Sequence, residues 1–380
     1  MIRTHHDLAL TSRWVIKIGS ALLTDGKKGL NRDRIDWLSE QIAQLRQQGK
    51  EVVLVSSGSV AAGLQQLGWT TRPETIHQLQ SAASIGQMDL VQAYATACQQ
   101  YQIQTAQILL THADLADRQR YLNARSTLQH LLELSVLPII NENDAIATEE
   151  IRFGDNDTLA AMTANLIEAE ALIILTDQKG LFEADPRQYP EAKLITQAAA
   201  NDQRLDAMAT ASRGKWGRGG MTTKIQAARR AARSGASTVI LSGENPQSLI
   251  QFAQGAMIGT LLWADGEPMS AREQWLTGQL NVKGTLFIAP QAVNGIRQQK
   301  KSIYPKDITA VSGDFNRGEL LVCYDDKGRC IAKGLANYNA TESALIKGKN
   351  EDEMVTILGY KDERALIHSA NLVLQNEEIT

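Results

Sequence analysis

The chain has 380 residues, of which 43% are hydrophobic and 21% charged, which is enough apolar mass for two domains with sizeable cores and too much for a disordered chain. A formal net charge of -3 gives no general attraction to nucleic acid or to an anionic membrane. No apolar run reaches the roughly 18 residues a spanning helix needs, and the opening MIRTHHDLALTSR lacks the apolar core and cleavage pattern of a secretory signal.

Trp14–Ile18 is a short apolar strand that carries Lys17 and breaks at Gly19-Ser20. Asn31 caps a helix on which Ile35, Leu38, Ile42 and Leu45 recur at helical spacing, with Gly49 after its last turn. Glu51–Ser56 is the next strand and runs into Ser57-Gly58-Ser59, followed by a small-residue helix to about Gly68. A further helix is predicted from Ile85 to Tyr101, with Ile85, Met88, Val91, Ala95 and Cys98 on one face. Strand Gln104–Leu110, helix Tyr121–Leu134 and strand Val136–Ile140 come next, then strands Ala171–Leu175 and Ser237–Leu241. Strands alternate with helical segments as far as about Leu262, so the class is α/β, a mainly parallel sheet sandwiched by helices.

The pattern changes near Ala271–Asn281. The segments Thr285–Ile288, Ile308–Val311, Glu319–Tyr324, Arg329–Gly334 and Met354–Leu358 are short and separated by turns, as in a small β-rich domain with a helix or two. The expected division is 1–270, 281–360 and a terminal segment 361–380. Three cysteines make no disulfide framework; Cys323 and Cys330 could face each other across a hairpin but read as ordinary thiols in a reducing cytosol.

A crowd of carboxylates and carboxamides follows a short apolar run that reads as a buried strand. After Val136–Ile140 come Asn141-Glu142-Asn143-Asp144 and then Gly154-Asp155-Asn156-Asp157, which opens a helical pattern. Either group alone reads as an Asx-rich turn that stops a strand or starts a helix. Together, past the carboxyl end of a strand in an α/β chain, they mark a ligand site. The chain has no G-x-x-x-x-G-K-[ST] loop. Its other phosphate candidate is the glycine-rich Gly214–Lys224, where Thr222-Thr223 opens a helix and Lys224 adds a cation, against the bland reading of a flexible connection. Lys17, inside an apolar strand, must reach an anion or water, or else snorkel from a sheet edge. The six histidines are scattered without metal-ligand spacing, so no zinc site is expected. Asp114, Asp117, Arg118 and Arg120 read as a charged surface turn.

These motifs, Lys17-Ile18-Gly19-Ser20, Ser57-Gly58-Ser59, the Asn-Glu-Asn-Asp and Gly-Asp-Asn-Asp pair, Thr176-Asp177 and Gly219-Gly220-Met221-Thr222-Thr223-Lys224, resemble the glutamate 5-kinases of the amino-acid kinase family, in the long form with a C-terminal PUA domain. The resemblance runs from about Trp14 to the C-terminus and implies phosphorylation of the side-chain carboxylate of L-glutamate by ATP, the first step toward proline. It implies a catalytic set of Lys17, Asp157 and Lys224, with Asp157 steadying the lysines, and Ser57, Asp144 and Asn156 as glutamate ligands. Lys17, Thr176, Asp177, Arg218, Gly219, Gly220, Met221, Thr222, Thr223 and Lys224 would bind ATP, with Mg2+ arriving on its phosphates. It further implies feedback inhibition by proline, a homo-oligomer (dimer or tetramer), a cytoplasmic location, no membrane partner, and hand-over of the acyl phosphate to a glutamyl phosphate reductase. Arg218 stands where a threonine is common, Ser20-Ala21 replaces a Thr-Ser pair, and Pro305-Lys306-Asp307 replaces Pro-Lys-Gly.

Two alternatives stay open on sequence. One is a family member acting on another acceptor, such as aspartate, acetylglutamate, carbamate or a nucleoside monophosphate. The other is an RNA-binding regulator with a kinase-like fold, since PUA domains often bind RNA. Lys283–Lys333 holds nine Lys or Arg against five Asp or Glu, a mild net of +4 that favours a structural or regulatory appendage.

Overall fold

The computed structural model describes residues 2–25, 29–147, 156–211, 220–265, 282–299, 301–360 and 363–374. Arg218, Gly219, Gly154 and Asp155 lie outside the described residues. The chain divides into two compact units, one of Met1–Leu115 with Ala124–Met269 and one of Ala116–Asn123 with Ser270–Thr380.

The strands of the first unit are β1 (Arg13–Ile18), β2 (Thr24–Asp25), β3 (Gly29–Leu30), β4 (Glu51–Ser56), β5 (Thr105–Leu110), β6 (Leu137–Glu142), β7 (Ala171–Thr176), β8 (Gln197–Ala199), β9 (Ser237–Ser242) and β10 (Thr260–Trp263). Eight of them form one sheet in the order β5-β6-β4-β1-β7-β9-β10-β8, and β2 and β3 pair by themselves. The run from β5 to β9 is parallel throughout; β10 returns antiparallel to β9. Strands β6 and β7 are buried along their whole length, which matches the near-continuous apolar runs expected when helices cover both faces. Because five central strands run the same way, Ile18, Ser56, Glu142, Thr176 and Ser242 end at one common edge of the sheet.

The helix Arg32–Gln47 begins as predicted: the Asn31 side chain accepts from Arg34 N–H, and Ile35, Leu38, Ile42 and Leu45 are buried. The helix Ile76–Gln99 starts nine residues earlier than expected and turns a different face to the core. Met88 is 75% exposed and Ile85 37% exposed, while Leu79, Ala83, Gly86, Gln87, Leu90, Tyr94 and Ala97 are buried. The reason is steric. A Cβ on Gly86 would stand 1.9 Å from the Ser59 carbonyl oxygen, and one on Gly63 would stand 1.7 Å from that of Ala82. The helix therefore lies with its backbone against the helix Ser59–Gln66, and the small residues, not the larger apolar ones, occupy the seam.

The second unit holds β11 (Val282–Ile288), β12 (Ile308–Gly313), β13 (Leu320–Tyr324), β14 (Cys330–Leu335) and β15 (Leu372–Leu374), in the order β12-β11-β13-β14-β15. The pairs are antiparallel except β11 with β13. Leu286, Ile288, Phe315, Leu321, Ile331, Leu366 and Ile367 build its core. Among the short segments, Met354–Leu358 is the end of the helix Glu351–Leu358. A reciprocal cap between Asn350 and Glu353 starts that helix, and Gly359, at φ 73°, ends it. Cys323 pairs across the ladder with Ala332 and Cys330 with Tyr324, so the two thiols are offset, and both are free.

Candidate active site

The residue preceding the end of β1 is Lys17, flanked in register by Val55 and Ile174. A lysine there sits in the middle of the sheet, which removes the snorkelling alternative, and it is only 5% exposed. Its Nζ lies 2.5 Å from Asp157 Oδ1. Asp157 is fully buried in the first turn of the helix Asn156–Leu166, and its other oxygen, Oδ2, takes Lys224 Nζ at 3.0 Å. Thr223 Oγ1 donates to the same Oδ2 at 2.8 Å. Burial alone would push the Asp157 carboxyl up; the adjoining ammoniums of Lys17 and Lys224 outweigh it and hold the group far below the usual carboxylate range.

Lys224 belongs to the first turns of the helix Met221–Ala232, which Gly220 precedes in extended conformation with no side-chain cap. A cation at a helix N-terminus works against the helix dipole. Both the lysine and the N–H groups there call for an anion. Two ammoniums gathered on one carboxylate beside a helix start with no side-chain cap are a fit for a phosphate.

On the other side of β1 a network of amides and hydroxyls ends in the Asp144 carboxylate. Asn156 Nδ2 donates within 2.8 Å of the Ser56 carbonyl, 3.0 Å of Ser57 Oγ and 2.8 Å of Asn141 Oδ1. Asn141 Nδ2 donates to Gln87 Oε1 at 2.7 Å and lies 3.3 Å from Ser59 Oγ, whose hydroxyl reaches Asp144 Oδ2 at 3.1 Å. Gln80 Nε2 donates to the Ala147 carbonyl at 3.0 Å, tying the turn after β6 to the Ile76–Gln99 helix. Thr176 ends β7, where its carbonyl accepts from Gly243 N–H at 2.7 Å and its hydroxyl reaches Asp177 Oδ1 at 3.0 Å.

The structure therefore joins Lys17, Asp157, Thr223 and Lys224 in one cluster and Ser57, Asn156 and Asp144 in another, the last through Ser59 and Asn141. Arg218 and Gly219 lie outside the described residues. Sequence reasoning did not single out Gln87, Gln80 or the bridging role of Ser59. The available signal was a glutamine on the stripe Leu79, Ala83, Leu90, Tyr94, a polar group on an apolar face. Among the described residues, no cluster of three or more His, Cys, Asp or Glu could hold a metal ion, and no helix is long and apolar enough to cross a membrane.

A parallel α/β sheet with paired lysines and an uncapped helix start at its carboxyl edge defines a phosphoryl-handling protein. The amino acid kinase family matches residues 12–242 and the PUA domain matches residues 284–358. Glutamate 5-kinase of Nitrosococcus oceani is 57% identical over 368 residues, covering 97% of this chain and 98% of that protein. Glutamate 5-kinase of Thioalkalivibrio sulfidiphilus is 53% identical over 374 residues, covering 98% and 100%. A solved UMP kinase from Bacillus anthracis overlays with a TM-score of 0.47 at 15% identity, over 67% of this chain and 97% of its own. The chain belongs to the amino acid kinase family, on the glutamate 5-kinase branch that carries a PUA domain.

Proposed function

We propose that this protein phosphorylates the side-chain carboxylate of L-glutamate with ATP, forming L-glutamyl 5-phosphate and ADP, the first step of proline biosynthesis. The observation that carries it is the split of the site into a cationic cluster around Asp157 and a neutral, amide-rich cluster that ends in Asp144.

The reaction forms a bond between a carboxylate oxygen and the γ-phosphorus and breaks the bond from that phosphorus to ADP. A carboxylate at neutral pH is already deprotonated, so no general base is needed. That agrees with Asp157, the acid of the cationic cluster, being bound between two lysines that hold its carboxyl far below the usual carboxylate range. Lys17 and Lys224 neutralise the charge that moves with the phosphoryl group, and Asp157 holds their ammoniums fixed in advance. Gly220, Met221 and Thr222 offer backbone N–H groups to the phosphates, joined in this proposal by Thr223, Arg218, Gly219, Thr176 and Asp177. Both Asp157 oxygens are engaged by lysines, so Mg2+ comes bound to the nucleotide rather than to a protein cage. Asp144 pairs with the α-ammonium of glutamate, while Ser57 and Asn156 supply neutral hydrogen bonds.

The same kinship supports proline as a feedback inhibitor, a dimer or tetramer, a cytoplasmic enzyme, and transfer of the reactive acyl phosphate to a glutamyl phosphate reductase. ADP release with glutamate, aspartate and UMP as acceptors, with and without proline, tests the activity. Glutamate-dependent release that exceeds the others is expected; equal or absent glutamate turnover would overturn the reading.

A further inference from the structure

The hydrogen bonds behind the acceptor pocket have a fixed direction, and that direction starts at a main-chain atom. The Ser56 carbonyl can only accept, so the group of Asn156 that lies 2.8 Å from it is the NH2. The Asn141 atom facing that NH2 at 2.8 Å must then be its oxygen. The nitrogen of Asn141 in consequence faces Gln87, whose own amide must present oxygen at 2.7 Å. The Asn156 NH2 has two hydrogens, which its two nearest acceptors, the Ser56 carbonyl and Asn141 Oδ1, take at 2.8 Å, with Ser57 Oγ at 3.0 Å beside them. Asn156 Oδ1 is left as an acceptor.

Resting on the glutamate-kinase reading, we propose that Gln87 is a positioning residue for the acceptor pocket: by accepting from Asn141 Nδ2 it holds Asn141 Oδ1 against the Asn156 NH2, and so steadies Asn156 in the orientation the Ser56 carbonyl sets, with its Oδ1 left as an acceptor. An amino-acid substrate brings an ammonium, which seeks acceptors. Gln87 is only 8% exposed and stands beside Gly86, whose close approach to the Ser59 carbonyl fixes the helix at that point. Its position is thus set by backbone packing, and it can hold the relay without touching the substrate.

The discriminating pair of variants is Gln87→Glu and Gln87→Met. Glutamate keeps an oxygen toward Asn141 in either protonation state, so the relay survives. Methionine has similar length but accepts only weakly, so Asn141 loses the acceptor that holds its amide in place. The expected result is a KM for glutamate within about threefold of wild type for Gln87→Glu and raised about tenfold for Gln87→Met, the scale of one lost hydrogen bond. The KM for ATP and the saturated kcat should stay close to wild type in both. Thermal unfolding of each variant checks that both are folded. Equal impairment of the two variants, or a wild-type KM in Gln87→Met, overturns the relay. Failure of the wild-type enzyme to use glutamate would instead remove the function proposed above.

Discussion

Replacing Asp157 by asparagine removes one negative charge from a site that holds two positive ones, at almost unchanged volume. Breaking a buried ion pair by deleting one partner costs about 3–5 kcal/mol. Here the residue left behind is a pair of ammoniums, each on a lysine only 5% exposed, so the upper part of that range applies to the ligand-free protein. At about 2–4 °C per kcal/mol for a domain of this size, the melting temperature should fall by roughly 8–20 °C. A triphosphate returns the missing negative charge, so a non-hydrolysable ATP analogue should raise the melting temperature of Asp157→Asn by more than it raises that of wild type. Turnover should nevertheless drop by about 100- to 1000-fold, because the lysines are no longer held where charge develops.

The pH dependence of this contribution has a definite sign. The folded Asp157 carboxyl lies below its unfolded value, so its stabilisation is complete above the unfolded pKa and is lost only as pH falls toward the depressed folded one. Between pH 5 and 9 the difference in melting temperature between wild type and Asp157→Asn should not change on account of this group. Differential scanning fluorimetry at several pH values, with and without analogue, together with steady-state kcat, measures all of it. An unchanged melting temperature with unchanged kcat would refute the idea that this acid organises the two lysines.

Other expectations follow from the same geometry. Asp144→Ala should raise the KM for glutamate tenfold or more with kcat nearly kept, and Lys224→Ala should lose about 100-fold in kcat with little change in KM; steady-state kinetics separates the two. Gly86→Ala places a Cβ 1.9 Å from the Ser59 carbonyl oxygen and should destabilise by about 1–3 kcal/mol, read by urea unfolding, while raising the KM for glutamate through displaced Gln87. Burial pushes all three thiols up, and Cys98 and Cys323 are buried whereas Cys330 is half-buried. An aromatic disulfide reagent should therefore modify the half-buried Cys330 first and the other two only after denaturation, and a reductant should leave the melting temperature unchanged.

The sheet was legible because its strands are nearly pure apolar runs that end in Gly, Ser or Asx turns, and burial on both faces demands that pattern. Lys17 stood out because a charge inside such a run must reach an anion or water, whereas Asp157 was marked only as one of an Asx group at a helix start, an ordinary cap position, and its place between the lysines came from the resemblance. The face of the Ile76–Gln99 helix was not legible. Size ranks Ile85 and Met88 as core and Gly86 as filler, whereas contact between two backbones selects the small residues and leaves Met88 in water. That reversal also hid Gln87, which only the correct face would have shown as a buried amide. The helix Glu351–Leu358 was obscured for a different reason: an eight-residue helix leaves little periodicity, and its clearest marks were the Asn350–Glu353 cap and Gly359.

The strand order explains why donor and acceptor chemistry meet at β1. From β1 the chain builds β4, β5 and β6 on one side and then crosses to place β7 and β9 on the other. Ligands in open α/β sheets bind where the direction of winding changes, at the carboxyl ends of strands. The amide network belongs to β4 and β6, while the second lysine comes from the helix that precedes β9. Two consecutive residues at the start of one helix join the halves: Asn156 reaches Ser57 and Asn141, and Asp157 reaches Lys17 and Lys224. Successive positions on a helix point about 100° apart, so one helix end can serve both partners without a hinge between them. A shift of that helix start would misplace the carboxylate acceptor and the phosphoryl cations together, which couples glutamate affinity to turnover through a single element of backbone.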